Sequence, residues 1–382
     1  MNKIILIGGD HHNGLGLARS FGINGIKPYG IIVTGDYKKS FISKSKYWEK
    51  TWTVDNDNNA VKLLLQIFAN ETEPPVIIPW SDSAAAEIDR NYDALSHSFI
   101  VPSLNQKEGA IIEMMDKKNQ IDFLKKYGLP MAKSYTIELP CKEKTEELPI
   151  PCICKPVSSY EGKKTDIKKC ESPDELNSYF DELLSKGYKR ILVQEYIYFD
   201  KELEFVGACC NDPAFIISDN VREWPVIGGT NSFLHIIDDQ RVRKVCNDLL
   251  AALQKEKYFG LFDIELFQVG DRILINEINW RNTGNSFFAL GTGVHYAVVW
   301  YLNAIGQDAS SIRHYTIDTT QYAMNESTDL RHVVFCGLSF HSWFRDLRRT
   351  QSFALWYSKD LRPTIIRYCY LIKELVLHRH HG

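Results

Sequence analysis

The chain reads as an α/β protein, with a parallel sheet covered on both faces first and a β-rich body after it. Three observations predict this. Short apolar runs alternate with helical spacing through the first hundred or so residues, the pattern turns β-rich after Pro151, and the length of 382 residues allows two or three domains. A chain this long buries roughly three quarters of its unfolded surface, enough to dispense with disulfide or metal staples.

In chain order, Ile4 to Ile7 reads as a buried strand, Leu15 to Phe21 as a helix and Tyr29 to Val33 as a second strand. Ala60 to Ala69 and Ser83 to Arg90 read as helices flanking a strand at Val76 to Ile78. Alternation of strand and helix argues for parallel strands. Asp116 to Tyr127 is a helix punctuated by Gly128 and Pro130. Beyond Pro151, strands are expected at Cys152 to Lys155, Arg190 to Glu195, Leu203 to Cys209 and Ala214 to Ser218, with a helix at Pro173 to Leu184. A helix from Asp239 to Lys255 precedes strands at Phe259 to Phe267 and Arg272 to Ile278, joined by a tight turn at Gly270-Asp271. From about Thr328 the sequence is aromatic, basic and irregular, with a helix expected from Thr364 to His378.

Charge is distributed unevenly. The net value is −3, from 45 Lys+Arg and 48 Asp+Glu. Residues 331–382 hold nine basic and three acidic residues, +6, leaving 36 against 45, or −9, for the rest. A whole-chain nucleic-acid footprint is absent, so no nucleic-acid partner is expected. Nine cysteines form no CxxC and no zinc-like series, and they read as reduced thiols. Only four apolar residues follow Lys3 before glycine, too few for a signal-peptide core, and no run of 18 apolar residues occurs. A cytoplasmic location is expected.

The most informative stretch is Phe262-Asp263-Ile264-Glu265-Leu266-Phe267, a turn, then Ile275-Asn276-Glu277-Ile278-Asn279-Trp280-Arg281. In a hairpin of alternating residues Asp263 and Glu265 share one face, as do Glu277 and Asn279, and pairing across the turn can set Glu265 beside Glu277. Two carboxylates about 4 Å apart repel by roughly 4 kcal/mol at an effective dielectric near 20, so the pair wants a cation or a proton. Glu, Glu and Asn are hard oxygen ligands that suit Mg²⁺ (or Mn²⁺). Spacing alone also fits acids on the wet face of an ordinary antiparallel pair.

Glu265 followed by Glu277-x-Asn279-x-Arg281 resembles the metal-binding end of the ATP-grasp superfamily, with Trp280 where proline is common. Other elements fall in the family's order. Met115-Asp116-Lys117 with its helix resembles the Asp-Lys element, and Ile153-Cys154-Lys155-Pro156 resembles the strand lysine. Val193-Gln194-Glu195-Tyr196-Ile197, with Glu202 and Glu204, resembles the adenine hinge and ribose strand. The Gly8-Gly9 turn and Pro79-Trp80-Ser81-Asp82 resemble the preceding, Rossmann-like preATP-grasp domain.

The resemblance covers the chain to about residue 305 and implies a preATP-grasp domain at 1–112, first and second ATP-grasp lobes at 113–200 and 201–327, and a C-terminal segment at 328–382. It implies ATP and Mg²⁺ as cofactors. Glu265, Glu277 and Asn279 would hold the metal, and Lys117 and Lys155 would neutralise phosphates in place of a glycine-rich Walker loop, which is absent. The backbone of Glu195, Tyr196 and Ile197 would meet adenine, and Glu202 or Glu204 the ribose. Arg281 would hold the transferred phosphoryl group or a substrate carboxylate, and Arg222, ahead of Gly228-Gly229-Thr230, resembles a substrate-side loop residue. The Ser158 to Lys164 loop departs from the glycine-rich pattern of many members.

The implied activity is a carboxylate–amine ligase working through an acylphosphate, as in D-aspartate-ligase-like and carbamoyl-phosphate-synthase-like proteins, with a small-molecule carboxylate and amine as partners. A bicarbonate-using carboxylase and a non-catalytic nucleotide-binding protein are the alternatives. A dimer is compatible with either. Gly14-x-Gly16-x-x-Arg19 falls one glycine short of the dinucleotide fingerprint and reads as packing. His11 and His12, at the end of the first strand, are either substrate contacts or loop residues. The tail, with Trp343, Phe344, Arg345, Arg348 and Arg349, reads as a cap on the body or as a surface for a membrane or an anionic substrate.

Overall fold

The computed structural model describes residues 2–35, 40–141, 147–157, 166–225, 229–312 and 318–378. It opens with β1 (Ile4–Gly9), α1 (His12–Ile23), β2 (Tyr29–Val33), β3 (Lys50–Val54), α2 (Asp57–Phe68), β4 (Val76–Pro79), α3 (Asp82–Arg90) and α4 (Tyr92–Ser96). The four strands form a parallel sheet in the order β3-β2-β1-β4. Ile4 to Ile7 are all buried because helices cover both faces: Ile4 and Leu6 face the core with α1, Ile5 and Ile7 the core with α2 and α3. Asn56 and Ser81 cap α2 and α3 by accepting backbone N–H bonds, which fixes where those helices start.

The connection runs through β5 (Ser103–Leu104), α5 (Ala110–Met115) and α6 (Lys117–Lys126), with Asp116 as the N-cap of α6. A small antiparallel sheet follows: β6 (Ser134–Glu138), β7 (Cys152–Pro156), β8 (Lys168–Cys170), then α7 (Pro173–Ser185) and β9 (Arg190–Glu195), in the order β6-β9-β7-β8. Alternation along β7 sends Cys152 and Cys154 into the core against Leu176, Tyr179 and Phe180 of α7, which leaves Lys155 on the opposite face.

The large sheet is built from β10 (Lys201–Cys209), β11 (Ala214–Trp224), β12 (Thr230–Ile236), β13 (Tyr258–Val269) and β14 (Arg272–Asn279), with α8 (Gln240–Lys255) between β12 and β13. Val242, Cys246, Leu249 and Leu253 give α8 a buried stripe at helical spacing. After α9 (Phe288–Thr292) and α10 (Tyr296–Ala304) come β15 (Tyr322–Met324), α11 (Glu326–Phe335), α12 (Phe340–Arg348), β16 (Ser352–Phe353) and α13 (Leu361–His378). The path is β14-β13-β10-β11-β12-β15-β16, with β5 also paired to β13.

The tail is therefore not irregular. It adds β16 to the large sheet and is fastened to the first unit by a buried ion pair. Arg19 Nε donates to Asp360 Oδ2 at 3.0 Å and Arg19 Nη2 to the Asp360 carbonyl at 2.9 Å, while Ser45 Oγ donates to the same carboxylate at 2.7 Å. Burial lowers Arg19's pKa despite Asp360. The Gly-x-Gly run serves packing: a Cβ on Gly16 would lie 2.8 Å from the backbone nitrogen of Phe287, so α1 approaches that loop closely. Among the described residues no helix is long and apolar enough to cross a membrane.

Breaking one partner of a buried pair strands the other charge at a cost of roughly 3–5 kcal/mol. Asp360→Ala is accordingly expected to lower stability by about 3 kcal/mol, seen as a clear fall in denaturation midpoint. An unchanged midpoint would show that the clamp contributes nothing.

Candidate active site

Strand register builds the site. Glu204 on β10 stands opposite Glu265 on β13, which stands opposite Glu277 on β14. Adjacent strands lie about 4.8 Å apart, so three carboxylates form a row across one face of the sheet. Asp263, two residues before Glu265, is paired with Asn279 on the same face. A bulge beside Glu265 accommodates Asn276, whose Nδ2 donates to Glu265 Oε2 at 3.0 Å. Between Asn279 and Arg281, Trp280 points the other way: it is buried, and its Nε1 donates to the Met114 carbonyl at 3.1 Å.

Two lysines meet this row from other elements. Lys117, at the start of α6, donates to both oxygens of Glu277 at 2.9 Å. One turn on, Gln120 fixes α6 to the edge of β14, donating to the Ile278 carbonyl at 2.9 Å and accepting the Ile278 N–H at 3.0 Å. Lys117 N–H also donates to the Val157 carbonyl, tying α6 to the small sheet. Lys155 is only 6 % exposed. Burial, together with Lys117, brings its pKa down to about 8 against the pull of Glu277 and Glu265.

The carboxylates answer in the opposite sense. Desolvation and the Glu277 charge push Glu265 up to about 8, and desolvation with Glu223 nearby pushes Glu202 up to about 7. Burial and Asp263 raise Glu204 well above the ordinary carboxylate range. Glu204 is already engaged, accepting from Thr283 Oγ1 at 2.7 Å and from Asn285 Nδ2 at 3.0 and 2.7 Å. Glu202 is half-buried and, with Glu204, Asp263, Glu265 and Arg281, lines a cleft of about 490 Å³. Asp10, His11 and His12 line it at the C-terminal end of β1, where open parallel sheets gather ligands.

Arg281 reaches the cleft, but its guanidinium is held by acids. Nε donates to Asp82 Oδ1 at 3.1 Å and Nη1 to Asp263 Oδ2 at 2.7 Å. Burial opposes its charge, and those two carboxylates outweigh burial to keep its pKa above the ordinary value. Arg222 departs from the expectation. Its Nε and Nη2 donate to Asp329 at 2.9 and 2.7 Å and its Nη1 to Asp346 at 2.7 Å, so it joins β11 to α11 and α12 instead of facing substrate. Both acids are buried, and a guanidinium is the cation able to bridge two carboxylates in this planar way.

In the hinge, the N–H groups of Glu195 and Tyr196 are committed to the carbonyls of Lys133 and Pro151. Among the described residues Ile197 N–H has no backbone acceptor, so it and the hinge carbonyls are what the segment offers a base edge. The Ser158 to Lys164 loop and Gly228 lie outside the described residues. Asp82, Gln120, Arg367 and Tyr370 belong to the site or its support without having been singled out for it from sequence. Asp82 lay within the quoted Pro79-Trp80-Ser81-Asp82 run, and Arg367 and Tyr370 are three apart on a helix that was expected.

A family model described as an ATP-grasp domain matches residues 122–290. The chain carries an ATP-grasp domain. Two curated relatives align with parts of it: a formate-dependent phosphoribosylglycinamide formyltransferase of Bacillus velezensis is 24 % identical over 37 % of this chain and 37 % of its own. An N5-carboxyaminoimidazole ribonucleotide synthase of Synechococcus elongatus is 27 % identical over 48 % of this chain and 47 % of its own. The chain thus spans less than half the length of these relatives. The solved structure of N5-carboxyaminoimidazole synthetase from Staphylococcus aureus complexed with ADP superposes with a TM-score of 0.65 at 17 % identity, over 88 % of this chain and 87 % of that one. That likeness establishes a shared fold.

The lysine supplies a pH test. Lys155 is charged below about pH 8 and loses its proton above it, while Glu265 gains negative charge over the same range, so both changes disfavour a polyanion as pH rises. Affinity for metal-free ATP is expected to be nearly flat to about pH 7 and then to fall by up to tenfold per pH unit for each of the two groups. Lys155→Met should weaken binding at pH 7 at least tenfold and leave a shallower pH dependence; titration calorimetry across pH 6.5–9 reads both.

Proposed function

We propose that this chain is an ATP-dependent ligase that joins a carboxylate to an amine, releasing ADP and phosphate. One observation carries the reading: the row Glu204, Glu265 and Glu277 opposes Lys155 and Lys117, which arrive from separate elements. Opposed charges of this kind, drawn together in a poorly solvated cleft, suit a triphosphate and its cation better than they suit an empty surface.

Mg²⁺ fits the donors present. Glu265, Glu277 and Asn279 are all oxygen ligands on one face, and two carboxylates leave positions for water and phosphate, as Mg²⁺ prefers. When bound, the metal would offset charge on the phosphate oxygens.

In the first step a substrate carboxylate oxygen attacks the γ-phosphorus, the bridging P–O bond to the β-phosphate breaks, and ADP leaves. Lys155 and Lys117 neutralise phosphate oxygens, Ile197 N–H meets the base, and Glu202 accepts from the ribose, Glu204 being committed to Thr283 and Asn285. In the second step the amine nitrogen attacks the acyl carbon, the bond from that carbon to the phosphate oxygen breaks, and a proton leaves the nitrogen. Arg281, pinned by Asp82 and Asp263, keeps the positive end of the cleft in place as charge builds on the phosphoryl oxygens. An ATP-requiring step and nine free cysteines both fit a cytoplasmic setting.

The test is ADP release with Mg·ATP and pools of candidate carboxylates and amines. Release above the no-substrate background, requiring both a carboxylate and an amine, supports the ligase; release with bicarbonate and amine alone would move the reading to a carboxylase. Glu277→Gln is expected to cut turnover at least a thousandfold while the melting curve stays cooperative. Turnover near wild type at saturating Mg²⁺ would remove Glu277 from the metal.

A further inference from the structure

We propose that the cleft selects a substrate carrying an anionic group that takes no part in bond making, and that Arg367, with Tyr370 beside it, is the side chain that reads that group. The word substrate rests on the ligase reading above, and the test below separates the two.

Two guanidinium groups line the cleft, those of Arg281 and Arg367. Arg281 is saturated: Asp82 and Asp263 hold it, and its Nη1 also donates to the Asn282 carbonyl at 3.3 Å. An incoming anion would have to displace carboxylates to reach it. Arg367 differs. Among the described residues it makes no ion pair within 4 Å, and its contact is the buried Phe41 ring, 5.6 Å away. Asp10 feels its charge, but that carboxylate already accepts from Ser40 Oγ at 2.9 Å and from the N–H groups of Phe41 and Ile42 at 3.3 and 3.4 Å. A half-buried guanidinium set against an aromatic face, with its charge uncompensated by a bonded acid, is an anion receptor.

The position separates this group from the reacting centre. Arg367 is felt by Asp10, His11 and His12, at the end of β1, whereas Lys155 responds to Lys117, Glu277 and Glu265. The two ends of the site carry different cations. Burial keeps both histidines on the neutral side, so they do not duplicate Arg367's charge. The mount is rigid: Thr364, one turn before Arg367, is buried with Oγ1 donating to the Leu355 carbonyl at 2.5 Å, and Asp360 is clamped by Arg19. Ile366 and Tyr368 pack on the main core. Residue 367 lies beyond the segment 122–290 matched by the ATP-grasp model, on the C-terminal helix α13.

The anion can be a carboxylate or a phosphate monoester, since a guanidinium accepts either in two-point fashion. The experiment uses the full chain with Mg·ATP and three pools: amino acids, the same compounds as primary amides, and aminoalkyl phosphates. Melting temperature and ADP release are both read, for wild type, Arg367→Gln and Arg367→Lys. At least one anionic pool is expected to act at a tenth or less of the concentration the amides need. Arg367→Gln should weaken that response at least tenfold, Arg367→Lys should restore part of it, and ATP affinity should stay within twofold. The two anionic arms tell carboxylate from phosphate. Equal response to the amides, an Arg367→Gln variant that responds as wild type, loss of ATP affinity in that variant, or no binding by any pool overturns the proposal. Arg367-dependent binding with no ADP release removes the ligase reading alone, and ADP release indifferent to Arg367 removes this inference alone.

Discussion

The register of three antiparallel strands governs the rest of the molecule. Because Glu204, Glu265 and Glu277 fall opposite one another, a single sheet face carries a row of acids at strand spacing. Slipping any one pairing by a residue would send its glutamate to the opposite, apolar face, where Leu203, Ile264 and Ile278 now lie in the core. The row is costly by itself: burial raises the pKa of both Glu265 and Glu204, with Glu277 adding to the first and Asp263 to the second. The cations around it, Lys117, Lys155 and the pinned Arg281, offset part of that cost.

That arrangement has to be held by elements far apart in sequence. α6 brings Lys117 because Gln120 mimics a strand and satisfies the open edge of β14 in both directions. β7 brings Lys155 because its cysteines prefer the α7 side. The C-terminal segment closes the third side through two buried guanidinium clusters, Arg19 with Asp360 and Arg222 with Asp329 and Asp346. Such clusters are poor sources of net stability but strict about geometry, because a misplaced partner leaves a buried charge alone. They fix α11, α12 and α13 against the body.

How much of this could be read beforehand follows the range of each interaction. The β13–β14 hairpin was legible, since Gly270-Asp271 and the alternation of acids with apolar residues are local, and so were β1, β2 and β4 of the first sheet and the helix carrying Lys117. β3 and β12 were not: Lys50–Val54 is half-exposed with no clean alternation, and Thr230–Ile236 is defined by its neighbour β11. Arg222 was misplaced for a related reason. Its nearby glycines suggested a substrate loop, whereas its partners sit 107 and 124 residues away, beyond any local pattern. Arg281 lines the cleft, but its pairing with Asp82, 199 residues distant, is a property of the fold alone.

The uneven charge of the chain takes on a different meaning in this light. A +6 tail on an acidic body reads from sequence as a surface seeking an anionic partner, such as a membrane. In the structure two of its cations are engaged by the body. Arg349 lies over the rings of Tyr322 and Phe233 and 3.2 Å from Asp346, and Arg367 turns inward to the cleft. The acids of the tail are spent inward as well, Asp346 on Arg222 and Asp360 on Arg19. The segment donates two buried carboxylates to cations of the body and sends one cation back into the body's acidic cleft, an exchange that binds the tail to the site and makes it a wall of that site.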